Sequence, residues 1–493
     1  MVALLGAGKG QLMRGDVTCS TAGARPPAII AALCATRPRD EQAPRWGQAL
    51  TVQYVSQLDT FLRRHPSNAA PGSSSLLLGA WLDVDMNAIN AGFAPARTAS
   101  GMTGFIEVAR TSPTQQLKVF VVDVGQGDAA LVEAEGAVVI IDGGPNSIFP
   151  EFLAARDAER RLLAAMVGEN VGPLEINAIV VTHFDDDHYT GIKHVLTNAN
   201  YRVGVLYHNG LPRYGEPAGK DMSLGTVTAN AAGESVISTD LSDIQSARAL
   251  LATADLNTAS GNLNMFARFL QAAVDAHDAG RLNAMERLDR RAPNQPGPLL
   301  PNTGPDLGLE ILGPIPAGLN PARLPCFPDP HGGGAPSESH TVNGNSVVLK
   351  LRYGQRTLLF GGDLNAPAQQ YLLAAYADPT VFEADVNKAC HHGSSDFELA
   401  YLKAVQPHAT IFSSGDSGSY DHPLPDAMGA ASKHSRGDFP LVFSTELARE
   451  GQRLGHINVR SNGTDVVVAQ KKEKPSSVDP WHDYAVPYHG PFG

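Results

Sequence analysis

Residues 182–188 read Thr-His-Phe-Asp-Asp-Asp-His, and this stretch decides how the rest of the chain is interpreted. His183, Asp185 and Asp187 occupy alternate positions and His188 follows directly, so side chains able to bind a metal ion are concentrated here. The apolar, β-branched residues just before the stretch predict a buried strand, and the residues after it predict the start of a helix. A helix cap needs only one carboxylate oxygen and gains nothing from flanking imidazoles, so the pattern favours a metal site.

The composition describes a globular protein with 493 residues, of which 43% are hydrophobic and 18% charged. A chain of this length predicts a large α/β domain with an appended or inserted piece. The formal net charge is -12, which argues against a protein that coats nucleic acid non-specifically, because that mode needs a basic surface. An enzyme that meets phosphate groups through metal ions remains compatible with this charge.

The cysteines and the hydropathy pattern indicate a cytoplasmic protein. Cys19, Cys34, Cys326 and Cys390 are scattered without a C-x-x-C pair, which favours a reducing compartment. No apolar run approaches the ~20 residues that span a bilayer, and the N-terminal residues lack the order of charge and apolar run of a secretory signal.

The sequence pattern divides the chain into three parts. Residues 1–115 form an N-terminal extension of unknown role, in which the apolar spacing over 51–64 predicts a helix. Residues 116–475 are rich in short strands and form the core domain, with a polar helical insertion over 212–305 that includes a long helical pattern over 262–288. Residues 476–493 are expected to be a flexible tail.

Further metal-competent side chains follow other predicted strands. Asp363 ends a strand within Phe-Gly-Gly-Asp, where glycine lets the backbone approach a ligand closely. His391 and His392 follow the strand ending at residue 389, and His422 stands in Ser-Tyr-Asp-His-Pro after the strand over 409–413. Ligands at the ends of several strands predict one site at one edge of the sheets.

Together these motifs resemble the metallo-β-lactamase fold, and more narrowly the hydrolase domain of the ComEC-type competence proteins and their soluble relatives, which lack the membrane channel. The motifs are, in chain order, Asp-Val-Gly-Gln-Gly-Asp at 123–128, Ile-Asp-Gly-Gly at 141–144, Thr-His-x-Asp-x-Asp-His at 182–188, Asn-Gly-Asn-Ser at 343–346, Gly-Asp at 362–363, His-His-Gly-Ser at 391–394 and Tyr-x-His-Pro at 420–423. The resemblance implies a four-layer αβ/βα sandwich with a two-metal site on the edge between its sheets.

The resemblance also implies a ligand set, carried over residue by residue. His183 and Asp185 would bind the first metal ion, Asp187 and His188 the second, and Asp363 would bridge both. His392 would complete the second site, with His391 nearer the substrate, because successive residues of an extended strand point to opposite sides.

The family's usual pattern has a histidine where Asp185 stands, so this chain carries the more anionic ComEC-type variant. Three carboxylates and three imidazoles leave two divalent ions with one net positive charge, and the added carboxylate makes Mn²⁺ a rival to Zn²⁺. The histidine that usually closes the first site has no clear counterpart, and His340 and His208 are the nearest alternatives.

The resulting hypothesis is a hydrolase with two divalent metal ions that activates water against a phosphodiester or another phosphorylated substrate, small molecule or nucleic acid. Asp187, His391 and His422 are the expected catalytic residues, although a structural role fits His391 and His422 equally well. Ser394 is a further alternative of this kind, and Asp123, Asp128 and Asp142 are expected to orient ligands and loops.

Two other functions stay open: hydrolysis of a carboxylic ester, thioester or lactone in the same site, and a non-catalytic binding protein on the same fold. A non-catalytic protein would be expected to have lost several ligands. The presence of all six residues carried over from the resemblance therefore weighs against that function. They are His183, Asp185, Asp187, His188, Asp363 and His392. The extension and the insertion are where substrate choice is expected to lie, because loops around such a site gate access. The oligomeric state stays open as well.

Overall fold

The computed structural model describes residues 51–69, 72–295, 306–318, 320–330, 332, 334–415, 420–445, 455–471 and 481–487. Residues 1–50 of the predicted extension lie outside this set. The described strands are, in chain order, β1 (Thr51–Val55), β2 (Thr60–Arg63), β3 (Gly72–Leu76), β4 (Trp81–Val84), β5 (Phe93–Thr98), β6 (Thr103–Glu107), β7 (Thr111–Ser112), β8 (Leu117–Val121), β9 (Ala129–Ala134), β10 (Ala137–Gly143), β11 (Leu174–Val180), β12 (Tyr201–His208), β13 (Val227–Ala229), β14 (Ser235–Ser238), β15 (Leu282–Arg287), β16 (Leu307–Gly313), β17 (Arg323–Pro325), β18 (Val348–Tyr353), β19 (Arg356–Phe360), β20 (Val386–Lys388), β21 (Ala409–Phe412), β22 (Leu441–Ser444), β23 (Ile457–Ser461), β24 (Val466–Lys471) and β25 (Trp481–Val486). The described α-helices are α1 (Ile148–Met166), α2 (Asp186–Thr197), α3 (Ile244–Leu251), α4 (Met265–Asp278), α5 (Glu338–Gly344), α6 (Ala366–Ala375), α7 (Leu399–Val405) and α8 (Pro425–Lys433).

Two mixed sheets form the centre of the described structure. The first has the order β15-β12-β11-β10-β9-β8-β23-β24-β25, and the second has the order β16-β18-β19-β20-β21-β22. Strands β10, β11, β12 and β15 run parallel, as do β19, β20, β21 and β22. The carboxyl ends of parallel strands meet at one edge of each sheet, which is where ligands bind in open α/β sheets.

The sheets pack face to face through a shared apolar core. Val119, Val139 and Val459 of the first sheet belong to the same buried cluster as Leu349 and Leu358 of the second. These are the aliphatic, mostly β-branched residues that fill the space between packed sheets.

Helices cover the outer face of each sheet. On the first sheet, Leu153 of α1, Ile192 of α2 and Phe269 of α4 share a second buried cluster with strand residues. On the second sheet, Leu372 of α6 and Tyr401 of α7 do the same. The order helix, sheet, sheet, helix confirms the predicted four-layer αβ/βα sandwich.

The residues before 115 that the structure describes form a small antiparallel sheet, so the helix predicted over 51–64 is wrong. Its strand order is β3-β2-β6-β5-β4-β1-β7. Gln53 and Val55 are buried in β1, as are Thr60 and Leu62 in β2, which is the alternation of a strand. The strand was not predicted because two of the buried residues, Gln53 and Thr60, are polar. The buried face therefore lacks the apolar alternation typical of a strand.

The segment 212–305 is not a purely helical insertion. It holds α3 and α4 as predicted, but the helical pattern over 262–288 ends at Asp278, and Gly280 takes a left-handed conformation with φ of 65°. β15 then pairs in parallel with β12 and so belongs to the first sheet. β13 and β14 add a further small sheet with β17.

Part of the segment expected to be a flexible tail is ordered. Trp481–Val486 forms β25, which pairs antiparallel with β24 at the edge of the first sheet. None of the helices in the described ranges is both long and apolar enough to cross a bilayer.

Candidate metal centre

Residues 183–188 carry the first group of candidate ligands and span the end of the loop after β11 and the first turn of α2. His183 is fully buried, and its Nδ1 lies 3.2 Å from the Ser346 Oγ. That hydroxyl donates to the Asn343 carbonyl at 2.7 Å, so its oxygen can accept a hydrogen bond from His183 Nδ1–H. The His183 Nε2 is thereby left with a lone pair, which is what a metal ligand needs.

His188 is oriented in the same manner by a buried carboxylate. Its Nδ1 lies 2.9 Å from Asp142 Oδ2, and both side chains are buried. Its Nε2 lies 3.3 Å from Asp363 Oδ1 and 3.8 Å from Asp187 Oδ1. Asp142 therefore fixes the orientation of the candidate ligand His188, since the partner of one ring nitrogen fixes the role of the other.

His392 faces the same carboxylates from the second sheet. Its Nδ1 lies 3.0 Å from the Ser413 carbonyl oxygen, which can only accept, so Nε2 carries the lone pair. That Nε2 lies 3.1 Å from Asp363 Oδ2 and 3.3 Å from Asp187 Oδ2. Asp187 and Asp363 thus lie between His188 and His392.

The His391-His392 pair does not lie on an extended strand, so the argument from opposite strand faces is wrong. Both residues take left-handed backbone conformations, with φ of 48° and 55°, in the short turn Cys390–Gly393. His392 still points at the carboxylates, while His391 Nε2 lies 3.9 Å from Asp363 Oδ2 and 3.4 Å from Asn343 Nδ2. The turn, rather than strand alternation, separates the two rings.

The structure meets the requirements of a metal site at its buried nitrogens. The Nε2 atoms of His183, His188 and His392 are buried and make no hydrogen bond to any described residue. Two of the possible ligand groups are His183 with His188 and Asp363, and Asp187 with His188 and His392, and the ligand atoms of each group lie within 4.8 Å of one another. Buried polar atoms without partners are costly, and a cation bound between them would remove that cost.

Asp185 stands at the margin of this cluster. Its Oδ2 lies 3.8 Å from His183 Nε2, and its Oδ1 lies 3.6 Å from Arg213 Nη2. Burial raises the pKa of the Asp185 carboxyl to about 6, with Arg213 opposing the shift. Asp185 belongs to none of the tight ligand groups found among the described residues.

Neither histidine considered for closing the first site joins these ligand groups. His340 Nε2 lies 3.1 Å from Asp396 Oδ2, which gives it a carboxylate partner of its own. His208 is buried against the ring of Phe184, with ring centroids 5.7 Å apart, and burial lowers its pKa to about 3. The closing ligand of the first site is thus not supplied by either residue.

His422 lies beside His391 at the edge of the cluster. The two ring centroids are 5.6 Å apart, and Gln126 Nε2 lies 3.4 Å from His422 Nδ1. Burial, followed by the neighbouring His391 and His392, lowers the pKa of His422 to about 4. Burial also lowers the pKa of His391. Both rings are therefore expected to be neutral near pH 7, and each has one nitrogen that donates and one that accepts.

Two positively charged side chains near the site were not predicted from the sequence. Lys388 is buried and forms an ion pair with Asp128 Oδ2, and its Nζ also donates to the Gly362 carbonyl at 3.2 Å. Asp128 Oδ1 in turn lies 3.3 Å from His392 Nδ1. A lysine inside the short buried strand β20 was the available signal, because a buried lysine needs a partner. Nothing in the local sequence around Arg213 indicated that it would lie beside Asp185.

A family model described as the metallo-beta-lactamase superfamily matches residues 122–238. The matched segment includes residues 183–188 and ends before Asp363 and His392. Competence protein ComA of Neisseria gonorrhoeae is 29% identical over 131 residues, which cover 25% of this chain and 19% of that protein. This chain therefore matches only about a fifth of the length of that relative.

Solved structures with similar folds include the metallo-beta-lactamase fold protein YhfI from Bacillus subtilis, at 9% identity and a TM-score of 0.31, covering 67% of this chain and 97% of that chain. Igni18, a novel metallo hydrolase from Ignicoccus hospitalis, is 10% identical with a TM-score of 0.32, covering 69% of this chain and 98% of that chain. The TM-scores of these two superpositions are low, so they add nothing to the family match and the layer order. Residues 122–238 thus match the metallo-beta-lactamase superfamily, the described layers have the order expected of that fold, and a stretch of 131 residues is similar to competence protein ComA.

Proposed function

We propose that this protein is a metal-dependent hydrolase that uses a dinuclear site to cleave a phosphodiester or another phosphorylated substrate. The observation that carries the proposal is the set of three buried Nε2 atoms without hydrogen-bond partners among the described residues, set around Asp187 and Asp363. Three imidazoles whose Nδ1 atoms are held by hydrogen-bond partners present their Nε2 atoms to these carboxylates, which is an arrangement suited to binding metal.

Six residues would hold the metal ions. They are His183, Asp185, Asp187, His188, Asp363 and His392, with Asp363 between the two positions. When bound, two divalent ions lower the pKa of a coordinated water and stabilise negative charge that develops on the substrate. Zn²⁺ and Mn²⁺ both suit this mixture of imidazole and carboxylate ligands.

Other residues would position the substrate and its leaving group. His391 Nδ1 is buried and makes no hydrogen bond to a described residue, so it is available to donate a hydrogen bond to the leaving group. Asn343 holds the other side of the His391 ring, at 3.4 Å from Nε2. His422 lies beside His391 and is proposed to help hold the leaving group by hydrogen bonding.

The preference for phosphate rests on the carboxylates of the proposed set. Oxygen ligands shift the preference of a site toward harder ions, which commonly act on phosphate groups. Carboxylic ester, thioester or lactone hydrolysis in the same site is the competing function. A cytoplasmic location stays a prediction from the sequence.

A direct comparison of two model substrates tests the proposal. Purified protein supplied with Mn²⁺ or Zn²⁺ is expected to hydrolyse bis-p-nitrophenyl phosphate faster than p-nitrophenyl acetate, and EDTA should abolish the activity. Asp186→Asn is a matched control, because this exposed carboxylate lies at the start of α2 beside the candidate ligands but is not a proposed ligand. Metal-dependent activity on the acetate alone would establish the ester function instead, and activity on neither substrate would contradict both.

A further inference from the structure

Arg213 lies at the edge of the candidate metal centre on the side of Asp185. Its Nη2 is 3.6 Å from Asp185 Oδ1 and 3.8 Å from Glu338 Oε1, and its side chain is 27% exposed. Asp185 Oδ2 is 3.8 Å from His183 Nε2. The guanidinium thus lies one carboxylate away from the first proposed metal position while it keeps access to solvent.

The hydrogen-bonding capacity of Arg213 is largely unused. A guanidinium carries five N–H donors in a planar fork. No hydrogen bond joins the side chain to Asp185 or Glu338, since both separations exceed a hydrogen-bond distance. Its Nη1 is buried and makes no hydrogen bond to any residue in the described ranges. Nη1 is thus a buried donor without an acceptor among the described residues, which is an uncommon situation in folded proteins.

The backbone that carries Arg213 is fixed in place. The Arg213 carbonyl accepts from Asn264 Nδ2 at 2.9 Å, where Asn264 caps the start of α4. Upstream, Leu211 N donates to Asn209 Oδ1 at 3.1 Å, and Asn209 Nδ2 donates to the Asn345 carbonyl at 3.0 Å. A fixed backbone places the guanidinium at a defined distance from the metal ligands.

Glu338 lies 3.8 Å from Arg213 Nη2, beyond hydrogen-bond distance, and is held by other contacts. Glu338 Oε1 accepts from Ser223 Oγ at 2.5 Å, and Oε2 accepts from Ser223 N at 3.0 Å. These contacts hold the Glu338 carboxylate against the Ser223 backbone. They leave the fork of Arg213 available to an acceptor from outside the chain.

We infer that Arg213 binds the anionic oxygens of the substrate and so selects a phosphate-bearing substrate for the adjacent metal centre. The inference rests on the proposed hydrolase function and names the residue that gives it specificity. Arginine matches phosphate and carboxylate geometry with two parallel hydrogen bonds, which a neutral carboxylic ester cannot accept with the same strength. Arg213 would therefore contribute to binding more than to the chemical step.

The alternative is that Arg213 only positions Asp185 through their ion pair. This reading predicts that removing the guanidinium loosens Asp185 and lowers metal occupancy. Substrate binding predicts that metal occupancy is unchanged while the affinity for phosphate falls. The two readings are separated by measuring both quantities on the same variants.

The experiment titrates inorganic phosphate into the metal-loaded full-length protein by isothermal titration calorimetry and measures metal content by mass spectrometry. Arg213→Gln is expected to weaken phosphate binding about tenfold or more. Arg213→Lys is expected to restore part of the loss, since it keeps the charge but not the fork. The control Arg202→Gln, at the opposite end of β12, should bind phosphate like the wild type.

Unchanged phosphate affinity in Arg213→Gln, or a fall in affinity that accompanies a loss of metal, would overturn the inference. Hydrolysis is scored separately with bis-p-nitrophenyl phosphate, where Arg213→Gln should raise KM and leave kcat within about threefold. If the wild type binds phosphate through Arg213 but hydrolyses neither model substrate, the proposed hydrolase fails and the binding role stands. The two claims can therefore fail independently.

Discussion

Asp142 illustrates how a residue outside the ligand set controls the site. Its carboxylate lies 2.9 Å from His188 Nδ1, and it also accepts from the Thr182 amide and hydroxyl at 2.7 Å each. Its backbone is left-handed, with φ of 57°, a conformation that aspartate and asparagine tolerate better than most residues. Asp142 thus joins the end of β10 to the metal loop and fixes the tautomer of His188.

Asp142→Asn is expected to weaken metal binding ~10–100-fold while the fold is kept, because the amide matches the shape but removes the charge behind His188. The measurement is a competition titration with a chromogenic metal chelator, with circular dichroism to check folding. Asp186→Asn at the start of α2 is the control and should bind metal like the wild type. Equal metal affinity in Asp142→Asn and the wild type would show that His188 does not need this carboxylate.

Lys388 supports the site from the second sheet. Its ion pair with Asp128 is buried, and Asp128 lies against His392. Although burial opposes it, Lys388 holds the pKa of Asp128 below its usual value. Removing the lysine would leave a carboxylate without its cation in the interior.

Lys388→Met is expected to lower the free energy of unfolding by ~3–5 kcal/mol, the usual cost of breaking a buried ion pair from one side. Urea titration followed by fluorescence measures the change. Lys403→Met, on the exposed face of α7, is the matched control and should change stability by less than ~0.5 kcal/mol. A Lys388→Met variant as stable as this control would mean that the pair contributes nothing.

At the level of secondary structure, α2 sets the position of the candidate ligands at residues 183–188. Gly191 in α2 packs directly on the end of β10, where its amide donates to the Gly144 carbonyl at 2.9 Å. A Cβ at Gly191 would lie 1.9 Å from the Gly143 carbonyl oxygen. The helix can approach the sheet this closely only because residue 191 has no side chain.

Gly191→Ala is therefore expected to push α2 away from the sheet and to displace His188 with it. The expected result is a loss of ~1–3 kcal/mol in stability, together with weaker metal binding. Gly172→Ala is the control, since a Cβ there meets no atom within 4 Å. Thermal melting with and without added Zn²⁺ measures both effects, and normal metal affinity in Gly191→Ala would contradict the coupling of helix and loop.

The elements also show what the sequence can and cannot predict. β10, β19 and β21 were predictable because buried parallel strands are runs of β-branched and aliphatic residues that end at glycine or polar loops. β15 was not, because its sequence Leu-Asn-Ala-Met-Glu-Arg continues the polar helical pattern of α4 and only pairing with β12 makes it a strand. Edge strands take their structure from tertiary contacts more than from local preference.

The residues of the candidate site also divide into those that local sequence predicts and those that only tertiary packing brings together. His183, His188, Asp187, Asp363 and His392 could be predicted because local motifs at strand ends mark them. The turn at residues 391–392 could not, since left-handed histidines have no sequence signature. Lys388 and Arg213 were missed because their partners, Asp128 and Asp185, are distant in the sequence, and such pairs emerge only from the packing of the sheets.

At the scale of the whole molecule, the small N-terminal sheet packs beside the first sheet in one compact unit, Pro44–Gly493. Lys118 of β8 is buried between them, with its Nζ 5.6 Å from the ring centre of Tyr54 in β1. Burial, followed by the neighbouring Arg460, lowers the pKa of Lys118 to about 7. The packing of the two sheets therefore disfavours a charged lysine.

This shift predicts a pH dependence of stability. The folded pKa of about 7 lies below the unfolded value of ~10.4, so between these values the unfolded chain binds more protons. Stability should therefore rise with pH across this window. Lys118→Met should flatten the rise and melt at a higher temperature than the wild type at pH 7, whereas exposed Lys433→Met should behave like the wild type. A wild-type melting temperature that is constant from pH 7 to 10 would contradict the shift.

Two divalent metal ions are expected to bind where His183, His188 and His392 meet Asp187 and Asp363. Inductively coupled plasma mass spectrometry of the protein, purified without chelator and equilibrated with Zn²⁺ or Mn²⁺, tests it most directly. The expected result is about two ions per chain in the wild type, and a clear loss in Asp187→Ala while circular dichroism shows an unchanged fold. Full metal loading of Asp187→Ala, or a wild-type protein that retains no metal after equilibration, would contradict it.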